Sequence, residues 1–73
     1  MKQIDATPKE RKEAFRKAYE FLERHTEVEN TYEYFLGLQR DCADETNLLF
    51  HYLAYGIMRY LEDQAKKYSG DLK

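Results

Sequence analysis

The residues best suited to chemistry lie on one line through the last third of the chain. His51 follows Asp44 by seven residues, precedes Tyr55 by four and precedes Glu62 by eleven. On a helix these separations place all four along nearly one edge. An imidazole set among carboxylates and a phenol could act as a general acid or base. Asp44 and His51 are two turns apart, about 10 Å along the axis, too far for a direct hydrogen bond. The line therefore reads as a partly exposed helix edge. Candidate metal ligands are His25, His51, Cys42, Asp41, Asp44 and Glu45, but none has the His-x-x-x-His or Glu-x-x-His spacing that gathers ligands on bundle helices. Cys42 and His51 would form a nucleophile pair only if the fold joined them; Cys42 reads instead as a small buried apolar residue. No phosphate-cradling loop, nucleophile elbow or dinucleotide fingerprint is present. The expectation is a protein without catalytic activity, metal or cofactor.

The elements that must position these residues are helical. Thr7-Pro8-Lys9-Glu10 opens a first helix over about 8–25, with Thr7 as cap, Glu10 three residues on and Pro8 at the first position. Ala14, Phe15, Ala18, Tyr19, Leu22 and His25 recur at helical spacing as its inner face. Glu13 with Lys17, and Glu20 with Arg24, are spaced to pair on the solvated side. Two cap-like tetrads, Thr26–Glu29 and Asn30–Glu33, leave the second helix starting near 27 or near 31 and running to about 40. Its inner face is Val28, Tyr32, Phe35, Leu36 and, further along, Gln39 and Cys42. The third helix covers about 44–68, capped by Asp41 or Asp44 or continuous with the second, and closed at Ser69-Gly70. No segment alternates like a strand. The chain reads as one all-α domain over 1–73, a small three-helix bundle with frayed tails at 1–6 and 70–73, completed by dimerisation.

Its 73 residues include one cysteine, so neither an internal disulfide nor a cysteine-based zinc site can reinforce a domain that is marginal on core burial alone. A reducing, cytoplasmic setting follows from that cysteine usage. Between Leu48 and Leu61 only His51, Gly56 and Arg59 interrupt an apolar and aromatic run. It is about 14 residues long, and a membrane span needs roughly 20, so it reads as a helix apolar around most of its girth that must be covered on several sides.

One broad side of that helix, Leu49, Phe50, Leu53, Ala54, Ile57, Tyr60, Leu61 and Ala65, reads as core. The other presents Leu48, Tyr52, Tyr55 and Arg59 where a surface helix would carry Lys and Glu. Tyr and Arg are enriched at binding hot spots, Arg59 is one turn from Tyr55 for stacking, and Gly56 would admit a close neighbour. Either the first two helices cover these tyrosines or a partner does. The preferred reading is a protein–protein interaction module that self-associates through Leu48, Tyr52, Tyr55 and Arg59.

The net charge of −2 is unevenly spread. Glu27, Glu29, Glu33, Asp41, Asp44 and Glu45 make the middle acidic, which gives the alternative of an inhibitor or regulator, of accessory or phage type, that fills a basic groove on a target. A second alternative is a small dimeric DNA-binding regulator using Lys9, Arg11, Lys12, Arg16 and Lys17. Interleaved glutamates on the first helix, and a third helix too apolar to read a groove, make nucleic acid the weakest partner class.

Overall fold

The computed structural model describes residues 2–69 and consists of three α-helices: α1 (Pro8–Arg24), α2 (Tyr32–Cys42) and α3 (Leu48–Ser69). The cap expected at Gly70 and the tail 70–73 lie outside the described residues. α1 begins as its sequence dictates. The Thr7 hydroxyl accepts from the Glu10 amide at 3.2 Å, and the Glu10 carboxylate accepts from the Thr7 amide at 2.8 Å. α2 takes the second of the two expected starts, near 31, with its cap one residue on from Asn30. Thr31 is its cap, accepting from the Tyr34 amide at 3.2 Å, while Asn30 is buried.

The third helix starts four residues later than expected, and the chain is broken, not continuous, before it. Neither Asp41 nor Asp44 caps it. Asn47 does: its Oδ1 accepts from the Phe50 amide at 3.2 Å, its carbonyl accepts from His51 at 3.2 Å, and its Nδ2 donates to the Glu10 carbonyl at 3.0 Å. The last bond ties the start of α3 to the start of α1. Leu22, near the end of α1, borders one groove with Leu61 and Gln64, far along α3. The two helices therefore run side by side in the same direction, and their contact is the main interface of the bundle; α2 contributes the smaller share.

The core follows from this pairing. Ala14, Ala18 and Phe21 of α1 meet Phe50, Ala54 and Leu61 of α3, with Leu38 and Cys42 of α2 closing the end. Alanines at the contact let the helices approach, and Phe21, fully buried, sits edge-on to Phe50 at 6.2 Å. Three sequence expectations are corrected here. Phe15 and Tyr19 are 61% and 63% exposed, because α1 is rotated so that the line 14-18-21-25 faces inward. Tyr60 is 55% exposed, at the margin of the α3 core stripe and not inside it. In α2, Leu38 is buried while Tyr32 and Gln39 face out.

Expected ion pairs are also rearranged. Lys17 reaches Glu45 at 3.0 Å and Arg24 reaches Asp41 at 2.9 Å, both across elements, while Arg16 takes Glu20 at 3.1 Å along α1. No helix among the described residues is long and apolar enough to cross a membrane.

Candidate functional site

The third helix keeps a large apolar face outside the bundle. Its inward stripe, Phe50, Ala54, Leu61 and Ala65, is buried, and Leu49, Leu53, Ile57 and Met58 are half-buried beside it. Opposite that stripe, Leu48, Tyr52 and Tyr55 are 68%, 71% and 64% exposed, and Arg59 and Gly56 are exposed between and beyond them. α1 and α2 therefore do not cover these tyrosines. At about 100° per residue the members fall within roughly one third of the helix circumference, so Leu48, Tyr52, Tyr55 and Arg59 share one surface.

Two shallow grooves extend it. One, of about 410 Å³, lies along Leu48, His51, Tyr52 and Tyr55. The other, of about 350 Å³, joins Leu48, Leu49 and Tyr52 to Ile4, Asp5 and Ala6 of the N-terminal segment. Ile4 is exposed there and adds to the apolar area. Sequence reasoning passed over Ile4, since nothing in a polar leader shows that it will fold back against α3.

The polar members of the site are differently placed. Arg59 makes no hydrogen bond or ion pair among the described residues; Glu62, one turn on, is taken by Lys66 at 3.3 Å. The stacking of Arg59 on Tyr55 is not formed, and the cation over a ring in this helix is Lys67 on Tyr68 at 5.4 Å. His51 is half-buried, and its Nε2–H donates to the Glu45 carbonyl, which fixes the ring against the α2–α3 loop. Asp44 lies in that loop, off the helix, so the line Asp44, His51, Tyr55 and Glu62 is not assembled as one helix edge.

The six acidic residues do not share one role. Asp41 is bound by Arg24 and by His25 Nε2–H at 2.8 Å, and Glu45 by Lys17. Burial pushes the Asp41 carboxyl up, but the hydrogen bonds and charges of His25 and Arg24 outweigh it and hold the group below its ordinary value. The Lys17 ammonium lowers Glu45, with smaller help from the Asn47 and Thr46 amides against a little burial. Glu27 and Glu29 are exposed in the α1–α2 loop, Glu33 in the first turn of α2, and Asp44 in the α2–α3 loop. Two of the six carboxylates thus hold α1 to the rest of the fold.

The basic set of α1 is likewise divided, since Arg16 and Lys17 are engaged by Glu20 and Glu45. Cys42 is buried and donates to the Leu38 carbonyl at 3.5 Å; burial and the adjacent Asp41 charge push its thiol up, away from the reactive thiolate. Among the described residues no three His, Cys, Asp or Glu side chains are grouped to hold a metal ion. Compared with protein-family models, curated proteins and solved structures, the chain matches none.

Proposed function

We propose that this chain is a non-enzymatic helical interaction module that self-associates, in its simplest form as a homodimer, through Leu48, Tyr52, Tyr55 and Arg59 of α3. The observation that carries this reading is the exposure of a leucine and two tyrosines in one line on a helix whose opposite side is core. Such a line presents anchor residues of the kind that dominate interfaces, with an uncommitted guanidinium among them.

Surface bookkeeping supports the same reading. The chain exposes 5982 Å², where a monomer of 8.8 kDa has about 4,800 Å². The excess, roughly 1,200 Å², is shared with exposed rings elsewhere, Phe15, Tyr19, Tyr32 and Tyr68 among them, and is larger than the approximately 800 Å² that each partner gives to a standard interface.

The test is the solution mass by light scattering across a dilution series, for the native chain and for Tyr52→Asp/Tyr55→Asp. The native chain gives a dimer or larger species that dissociates on dilution. Because neither tyrosine is in the core, the double variant keeps its helical circular dichroism and runs as a monomer. A native chain that stays monomeric throughout the series overturns the reading, and a folded variant that stays dimeric removes this face from it.

A further inference from the structure

Four residues on the outer face of α3, Tyr52, Tyr55, Gly56 and Arg59, are arranged about a single midpoint. Tyr52 and Arg59 are seven residues apart and so lie within about 20° of one line along the helix. The point halfway between them falls between Tyr55 and Gly56. Those two residues flank the line on opposite sides, each about 50° away from it. A large ring thus borders one side of the midpoint and a bare backbone the other. Gly56 is exposed, and a Cβ built on it meets nothing within 4 Å.

A two-fold axis through such a midpoint, perpendicular to the helix, makes the face its own complement. We infer that α3 binds α3 of a second copy in antiparallel orientation, crossing at Gly56, with Tyr52 of each copy against the partner's Arg59. This inference rests on the self-association proposed above and adds its geometry. In that register Arg59, which finds no partner among the described residues, gains the face of a tyrosine ring, twice per dimer. Gly56 meets the partner's Gly56, so the helix axes approach to the short end of the usual 8–10 Å range. On the other flank Tyr55 meets the partner's Tyr55, whose rings cover the contact from solvent. Every pairing draws on residues of one face, which is why a second copy fits it and a foreign helix would need to reproduce the same spacing.

The experiment uses the full chain with Gly56→Leu, Gly56→Cys and Asp63→Cys, alongside the native protein. Leucine is the better helix former and has open space, so Gly56→Leu folds at least as stably as the native chain; at the crossing it raises the dimer dissociation constant about tenfold or more. Under mild oxidation the introduced thiols of Gly56→Cys lie within the 4.4–6.8 Å Cα separation of a disulfide and link two chains. Those of Asp63→Cys, on the same face but about 22 Å apart along the paired helices, do not. The buried Cys42 does not compete.

A native dimer with this pattern supports the crossing. A native dimer in which Gly56→Leu binds as tightly as glycine, or in which Asp63→Cys cross-links and Gly56→Cys does not, overturns the crossing and leaves self-association standing. A native chain that is monomeric at every concentration overturns both.

Discussion

Asp41 is the residue on which the inner end of α1 hangs. It accepts from Arg24 and from His25, and the Tyr34 hydroxyl donates to the His25 carbonyl at 2.7 Å. Its carboxyl, like that of Glu45, is held below its ordinary value. A carboxylate depressed in the folded state adds stability that is complete above the unfolded value, near 4, and is lost as pH falls through the folded one. The protein should therefore lose stability below about pH 4, and Asp41→Asn should flatten that acid limb. The same variant should cost about 1–2 kcal/mol at neutral pH, as read by urea unfolding at pH 7 and pH 3. These pairs were not legible in the sequence. Local spacing assigns Lys17 and Arg24 to glutamates of their own helix, and only the placement of the α2–α3 loop beside α1 gives them Glu45 and Asp41. The phase of α1 failed for a related reason. Phe15 and Tyr19 form as regular an aromatic line as Phe21 with His25, and the choice between them is made by α3, which lies against the second.

At the scale of elements, the start of α1 was readable from a full capping box and that of α2 from a capping residue near 31, while the start of α3 was missed. Thr7, Pro8 and Glu10 fixed α1 within a residue. Asn47 has phenylalanine, not glutamate, three positions on, so its capping role has no local signature. Its strength lies in working across elements: it caps α3, donates to the Glu10 carbonyl and takes Glu45 Oε1 on its own amide at 3.3 Å. Thr7→Ala removes a cap alone and should cost about 1 kcal/mol. Asn47→Ala removes a cap and the α1–α3 tie and should cost about twice that. Asn47→Asp keeps the acceptor, loses the donor and should fall between them. Thermal unfolding of the three variants orders them; equal losses for Thr7→Ala and Asn47→Ala would show that the tie contributes nothing. The exposure of Leu48, Tyr52, Tyr55 and Arg59, by contrast, was legible, because side chains left over when a stripe is assigned to the core depend on the helical period and not on the neighbours; only Tyr60, at the margin of the stripe, was misplaced.

The whole molecule is long for its mass. It spans 48 × 23 × 16 Å with a radius of gyration of 14.0 Å, where a compact chain of 73 residues has about 11 Å. α3, at 22 residues, outreaches the 17-residue α1 and the 11-residue α2, so part of its length has no helix beside it. A copy crossing at Gly56 would lay its own α3 along the exposed outer face between Leu48 and Asp63. Folding and assembly are then linked, and the melting temperature should rise with protein concentration. Scanning calorimetry over a hundredfold concentration range checks this; a constant midpoint would mean that each chain is stable alone.

The pairing of α1 with α3 also fixes the order in which the chain can become stable as it is made. α1 is synthesised first, yet the surface that buries Phe21 belongs to the last helix. Until residues beyond Leu61 leave the ribosome, α1 and α2 have little to fold against, and Phe21, Ala14 and Ala18 stay open to water or to a chaperone. A nascent chain stopped after α2 should be protease-sensitive throughout, and protection should arrive in one step when α3 emerges, with no stable half-molecule along the way.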